Sequence, residues 1–164
     1  MRKTILLLVP FILTLFVVNR SYAQVVLTVG GEVDELLALT MDELKELPVR
    51  SYFAQSMKGD TVTYDVVRLI DVLELTGVPT GIQLRGEQVH KVVVVTASDG
   101  YKAAFSLAEL DPKSADGAIL LAVGHNGEPL DEQVGPLRLI APNDQLHSRW
   151  VRQVKGVFVV YPEL

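Results

Sequence analysis

The chain has 164 residues, carries a formal net charge of -5 at pH 7 and contains no cysteine. An acidic chain of this kind is a poor candidate for binding nucleic acid or an anionic membrane face. The absence of cysteine excludes disulfides, thiolate nucleophiles and thiolate metal ligands. The length suits one domain that can bury a core without cross-links.

Residues 1–23 have the three-part pattern of a secretory signal peptide. Two basic residues precede fifteen residues without a charge, and the segment ends in the small residue Ala23. A membrane anchor needs about 20 apolar residues, whereas this run is shorter and contains Pro10. We therefore predict cleavage after Ala23, which leaves a periplasmic or secreted domain, residues 24–164, with no membrane span. The removed segment holds three basic and no acidic residues, so the net charge of the mature chain falls from -5 to -8.

Eight short apolar runs predict strands along the mature chain. They are rich in valine, threonine and aromatic residues, which favour extended backbone. The runs are residues 25–29, 49–54, 61–66, 91–97, 101–106, 118–123, 137–141 and 154–161. Asp-Gly at 99–100 and Asn-Gly at 126–127 tolerate positive φ, so each predicts a tight turn between two neighbouring strands.

Three short helices are predicted between these strands. Residues 40–43 and 106–109 both have the capping-box form, and each opens a helix that a proline then ends. An apolar stripe at helical spacing between Asp65 and Gly77 predicts the third helix, with Asp65 as its N-cap and Gly77 as its C-terminal glycine. The pattern as a whole predicts a β-rich α+β domain.

Common catalytic patterns are missing from the sequence. His90, His125 and His147 have no partner at metal-ligand spacing, and His125 beside the Asn-Gly turn is predicted to be a solvated hairpin residue. No nucleophile-elbow motif and no glycine-rich phosphate loop occurs. The acidic pairs fall on polar helix or loop positions, where carboxylates are usually solvated.

One window of this acidic chain is basic. Residues 135–155 contain a single acid and four cations, which are Arg138, Arg149, Arg152 and Lys155. Guanidinium groups offer forked donors that match phosphate oxygens, so the window is a candidate anion site. On an extended strand Arg149 and Arg152 would point to opposite faces and could form salt bridges, whereas a tight turn would let them converge. The spacing leaves both alternatives open.

Three segments, taken in order, resemble a known family. In TYDVVRLIDVLELTGVP a strand tyrosine leads into a short helix, although the family usually has glycine where this chain has Val66. In TASDGYKAAFSLAEL a hairpin carrying Asp-Gly-Tyr leads into a small capped helix. LLAVGHNGEPLDEQVGPLRLIAPNDQLHSRWVRQVKGVFV combines a Gly-Pro-Leu-Arg-Leu strand, a proline loop and spaced cations before a final strand. Together they resemble the oxidoreductase molybdopterin-binding domain of the sulfite oxidase type over residues 25–160.

This resemblance implies a fold, a cofactor and a set of binding residues. The fold would be a β-rich mixed-sheet single domain of the α+β class with about three short helices, and a cleft would bind the phosphate of molybdopterin. Carried over residue by residue, the binding positions are Arg149 and Arg152, flanked by His147 and Ser148, with Arg138 on the preceding strand as a weaker candidate.

The resemblance leaves the activity open, because the family's active members bind molybdenum through a cysteine thiolate. Neither Ser51 nor Ser56 reproduces that soft ligand. One hypothesis is an exported cofactor-binding or redox-accessory protein with a periplasmic redox partner. Another is a non-catalytic binding module, a pseudo-enzyme, for a protein partner or another anionic small ligand, in which the arginines form salt bridges. A third is a molybdenum enzyme with a different metal ligand.

Overall fold

The computed structural model describes residues 24–55, 61–116 and 118–162. The predicted signal peptide and Ser56 lie outside the described residues. Within the described residues the strands are β1 (Val25–Gly31), β2 (Leu37–Thr40), β3 (Arg50–Gln55), β4 (Thr61–Arg68), β5 (Val92–Ala97), β6 (Lys102–Ser106), β7 (Leu120–His125), β8 (Arg138–Ile140) and β9 (Val154–Val160). The α-helices are α1 (Met41–Glu46), α2 (Leu69–Glu74) and α3 (Leu107–Leu110).

The strands form two sheets, one mixed and one antiparallel. The first sheet has the order β2-β1-β9-β5-β6, and its central strand β9 runs parallel to β1 and antiparallel to β5. The second sheet has the order β3-β4-β7-β8 and is antiparallel throughout. This arrangement confirms the prediction of a β-rich mixed-sheet α+β fold with three short α-helices.

A shared hydrophobic core joins the two sheets. Its fully buried side chains include Val93 and Val157 from the first sheet and Leu121 and Leu139 from the second. Full burial of one such side chain stabilises the fold by about 1.5–3 kcal/mol. A smaller apolar cluster covers the opposite face of the second sheet, and its members are Ala54, Tyr64, Val66, Leu120, Ala122, Leu130 and Ile140.

The observed strands agree with the eight predicted apolar runs, and one further short strand was not predicted. Each of the eight runs contains a strand, and the bounds differ by at most two residues. Strand β2 was not predicted, because Leu-Ala-Leu-Thr is short and has one β-branched residue. It forms by antiparallel pairing with β1, where Leu39 lies opposite Leu27. That pairing is tertiary information that a four-residue run does not contain.

The helix caps agree with the sequence pattern only in part. At α1 the complete capping box forms, since Thr40 accepts from the Glu43 N–H and the Glu43 carboxylate accepts from the Thr40 N–H at 2.7 Å. At α3 the Ser106 hydroxyl accepts from the Ala108 N–H at 3.2 Å. The reciprocal bond of a capping box was expected from Glu109 but is not among the hydrogen bonds of the described residues.

The predicted N-cap of α2 is wrong. Strand β4 continues through Arg68 because its residues pair with β7, and the helix begins only at Leu69. The Asp65 carboxylate instead accepts from the Gly127 N–H at 2.8 Å. Gly77 follows the helix with φ +78, as predicted for a C-terminal glycine.

The two predicted turns differ in what they connect. The Asp-Gly turn joins β5 and β6 into a regular hairpin. At the second turn Asn126 and Gly127 both have positive φ, but the ladder stops after one bridge between His125 and Glu128. The chain then leaves the sheet and returns only at β8, because residues 129–137 pass over the smaller apolar cluster, where Leu130 packs. Within the described part of the chain, no helix has the length and apolarity needed to cross a membrane.

Candidate functional site

A cleft of about 520 Å³ opens beside the smaller apolar cluster of the second sheet. Its floor comes from β3, β4 and β8, one wall from the loop before β9, and the other wall from the β5–β6 hairpin. The lining residues are Ala54, Gln55, Val62, Tyr64, Asp99, Tyr101, Arg138, His147, Ser148, Trp150, Val151 and Arg152. Residues of both sheets and of the basic window, residues 135–155, therefore line the cleft.

Arg138 is the cation at the floor of the cleft. Its guanidinium donates to the Tyr64 hydroxyl at 2.6 Å and lies 5.5 Å from the centroid of the Tyr64 ring and 5.4 Å from that of the Trp150 ring. The two rings keep this charge next to the cleft by cation–π contact. The buried Nε atom of Arg138 has no hydrogen-bond partner among the described residues. A buried donor left unpaired costs about 1–3 kcal/mol, so the site carries an unsatisfied donor next to the cleft.

The loop wall is built around the chain's single tryptophan. The Trp150 indole N–H donates to the Ala141 carbonyl at 2.9 Å, and its ring stacks on His147 with centroids 3.9 Å apart. A short 3-10 turn, His147–Arg149, reverses the chain so that the stack can form. Ser148 and Arg152 also line the cleft. Arg152 is exposed and forms no salt bridge with any described residue.

Arg149 lies outside this lining. Its guanidinium donates to Asp144 at 2.8 Å and to Glu109 at 3.1 Å, and it lies 4.4 Å from the centroid of the Phe105 ring. The hydrogen bond from Arg149 lowers the pKa of Asp144, and the same bond raises the pKa of Arg149. Of the two alternatives that the spacing left open, the chain forms a turn, at His147–Arg149. Arg149 nevertheless points toward Glu109 of α3, and of the two arginines only Arg152 lines the cleft, so they do not converge.

Four of the five residues proposed from the sequence meet in one cleft, namely Arg138, His147, Ser148 and Arg152. Three aromatic residues that the sequence did not assign to the site also line it. These are Tyr64, Tyr101 and Trp150. The Asp-Gly-Tyr segment and the strand tyrosine were visible as motifs, but their contacts with the cleft join residues 47 and 74 positions apart. Local spacing carries no information about contacts of that range.

The cleft suits a small anion better than a bare metal ion. The lining contains two arginines, Arg138 and Arg152, and one acidic residue, Asp99, in a chain that is acidic overall. The described residues contain no group of three or more His, Asp or Glu side chains that could hold a metal. Phosphate oxygens match forked guanidinium donors, whereas the chain offers no thiolate to a soft metal.

Comparison with known proteins identifies the family. The model of the oxidoreductase molybdopterin binding domain matches residues 16–162, so the chain belongs to this family. Its fold is similar to that in the crystal structure of the sulfane dehydrogenase SoxCD from Paracoccus pantotrophus, with a TM-score of 0.62 and 18% sequence identity. The match covers 83% of this chain but 38% of the SoxCD chain, so it extends over less than half of that protein. The search of curated proteins finds no match.

The described residues fit one part of the family's cofactor and not the other. The lining residues Arg138, Arg152, Ser148 and His147 carry N–H and O–H donors of the kind that phosphate oxygens accept from. The position of the molybdenum-binding thiolate has no counterpart, since the whole chain lacks cysteine. The chain is therefore a member of the family that lacks the cysteine.

Proposed function

We propose that the protein is an exported cofactor-binding or redox-accessory protein that holds a phosphorylated pterin in the cleft, without cysteine-ligated molybdenum catalysis. The observation that carries the proposal is the meeting of Arg138 and Arg152 with His147 and Ser148 in one cleft of an acidic chain. Membership of the molybdopterin-binding family supports the choice of a pterin over other phosphorylated ligands.

Each lining group has a role in this proposal. Arg138 and Arg152 supply forked donors and positive charge to the phosphate, and Ser148 adds a hydroxyl. The rings of Tyr64 and Trp150 flank the Arg138 guanidinium, and aromatic surfaces of this kind suit contact with a flat heterocycle. When bound, the pterin would supply redox chemistry to a partner protein. The chain's own residues would bind it, orient it and shield it from water.

The cofactor content of the protein tests this proposal directly. The mature protein, purified gently from its native host, is assayed for molybdenum and tungsten and for the fluorescent pterin released by oxidation. We expect about one pterin per chain in the wild type and a strong loss in the double variant Arg138→Ala/Arg152→Ala. The control is Arg85→Ala, because Arg85 is exposed and does not line the cleft.

Binding in solution completes that test. A fluorescent pterin carrying a phosphate monoester is titrated into the wild-type protein, in parallel with the same pterin without phosphate. We expect the phosphorylated probe to bind more tightly, and the difference to disappear in the double variant. Absence of pterin from the native protein, together with equal weak binding of both probes, would refute the proposal.

A second candidate is a non-catalytic binding module for another anionic small ligand. The observation that favours it is the ion pairing of Arg149 with Asp144 and Glu109, since that hypothesis expects salt bridges at the arginines of the basic window. Inorganic phosphate and pyrophosphate distinguish the two functions. If they compete fully with the phosphorylated pterin at similar concentration, the pterin ring contributes nothing, and the binding-module function is the better one.

Export is part of the same proposal and has its own test. N-terminal sequencing of the protein recovered from the periplasm or the medium is expected to begin at Gln24. A mature chain that begins at Met1 and stays with the cell would contradict both cleavage and export. This result decides the location of the protein without bearing on what the cleft binds.

A further inference from the structure

We infer that Tyr101 is a positioning residue. Its hydrogen bond holds the loop before β9, residues 147–152, against the β5–β6 hairpin. Its phenolic hydroxyl donates to the Ser148 carbonyl oxygen at 2.7 Å, across 47 positions of sequence. Its ring, half exposed, lines the same cleft. The effect on ligand binding rests on the proposed function, whereas the effect on the loop does not.

The hairpin holds the loop at both ends. Tyr101 contacts it at Ser148, where the loop enters the cleft. At the other end the Ser98 N–H donates to the Gln153 carbonyl at 3.0 Å, and the Ser98 hydroxyl donates to the Gln153 side-chain oxygen at 2.7 Å. Trp150 and Arg152 lie between these two attachments and line the cleft.

The two attachments differ in what their loss would do. Gln153 has a backbone φ of 49, which residues other than glycine rarely adopt. Its backbone N–H donates to the Val134 carbonyl at 2.8 Å, and its side-chain amide donates to the Glu132 carbonyl at 2.9 Å. Its removal would disturb the fold around it. The Tyr101 hydroxyl makes one exposed bond, which contributes little to global stability. The loop is also held by the Trp150 and Arg149 side chains, but Tyr101 is the residue that bonds it to the β5–β6 hairpin beside the cleft.

The turn that carries Tyr101 is itself fixed. The Asp99 carboxylate accepts from the Tyr101 N–H at 2.9 Å, and Gly100 has φ +88, which glycine tolerates at a tight turn. The Ala97 N–H donates to the Tyr101 carbonyl at 2.9 Å. These bonds fix the position of Tyr101 in the hairpin of the first sheet. The Tyr101 hydroxyl then restrains the loop beside the second sheet.

The substitution Tyr101→Phe tests the inference, because it removes the hydroxyl and keeps the ring. Without any ligand, we expect faster amide hydrogen exchange over residues 147–152 and stronger acrylamide quenching of Trp150, the only tryptophan in the chain. The melting temperature should stay within a few degrees of the wild-type value. Tyr161→Phe is the matched control, since Tyr161 is exposed and does not line the cleft.

Ligand binding supplies the second readout. The Kd of Tyr101→Phe for the phosphorylated pterin should rise about 2- to 10-fold, the range for one net hydrogen bond. The Kd for the same pterin without phosphate should change less, because Ser148 and Arg152 are the groups displaced. Tyr101→Ala, which also removes the ring, should weaken the binding of both probes.

The outcomes separate the inference from the proposed function. Unchanged exchange and quenching in Tyr101→Phe would overturn the inference, whatever the protein binds. Faster exchange with an unchanged Kd for the phosphorylated probe would also overturn it, because the hydroxyl would then restrain the loop without positioning the binding groups. If the wild type binds neither probe, the proposed function fails, and the exchange and quenching data still decide whether Tyr101 fastens the loop.

Discussion

Arg138 and Arg149 carry the same charged group in different surroundings. Arg149 is neutralised by Asp144 and Glu109, so its charge is already matched within the protein. Arg138 is held by a neutral hydroxyl and two aromatic rings, and its Nε has no partner among the described residues. An anionic ligand therefore gains more from Arg138 than from Arg149, although the sequence placed Arg138 as the weaker candidate.

Neutralising Asp144 tests the structural role of the Arg149 ion pair. Because the pKa of Asp144 is lowered in the folded protein, its stabilising effect is present above the ordinary carboxyl pKa and disappears as the pH falls through the folded pKa. We expect Asp144→Asn to lower the free energy of unfolding by about 1 kcal/mol at pH 7. The gap to the wild type should close below about pH 4, in urea denaturation at several pH values. Glu87→Gln, at an exposed site, should show no such pH-dependent gap.

At the scale of single elements, the caps show what a local pattern can and cannot determine. The capping box of α1 was readable because all of its groups lie within four residues, 40–43. The start of α2 could not be predicted in this way, because the residues before Leu69 pair with β7 and therefore belong to strand β4. The apolar stripe of a helix and a buried strand are both rich in valine and leucine. Pairing with a neighbouring strand determines which of the two structures forms.

Removal of the α1 cap should have a measurable and local cost. Thr40→Ala deletes the hydroxyl that accepts from the Glu43 N–H, so we expect the free energy of unfolding to fall by about 1 kcal/mol. Thr80→Ala is the matched control, since Thr80 precedes a 3-10 turn without a side-chain cap bond. Thermal denaturation followed by circular dichroism measures both variants. Equal shifts in the two would contradict the capping role of Thr40.

For the whole molecule, the shared core leads us to expect that the two sheets unfold as one cooperative unit. Leu121 of the second sheet is fully buried in the cluster that also contains residues of the first. Leu121→Ala should lower the free energy of unfolding by about 2–5 kcal/mol. Leu36→Ala, at a side chain that is 77% exposed, should change it by less than about 0.5 kcal/mol.

The same denaturation curves test the cooperativity itself. Trp150 fluorescence reports on the cleft beside the second sheet, and far-ultraviolet circular dichroism reports on both sheets. Coincident transitions are expected, because loss of either sheet would expose the core face of the other. Two separated transitions in the wild type would show that the sheets unfold independently.

Much of this fold could be predicted from the sequence, and the cleft only in part. Strand runs and the α1 cap are local patterns, so eight strands were found while the short β2 was missed. The family resemblance supplied four cleft residues. The direction of Arg149 and the contributions of Tyr64 and Tyr101 depend on partners far away in sequence, which a single chain without its fold does not reveal.

The central strand of the first sheet is also its last in chain order. Thr28 of β1 pairs with Gly156 of β9, and β9 separates β1 from β5. Until residues 154–160 are in place, β1 and β5 each have an open edge where β9 pairs in the folded protein. Contacts between such distant segments form slowly, and open edges invite aggregation. The first sheet therefore cannot complete its strand order before residues 154–160 are present, although four of its five strands precede them in the chain.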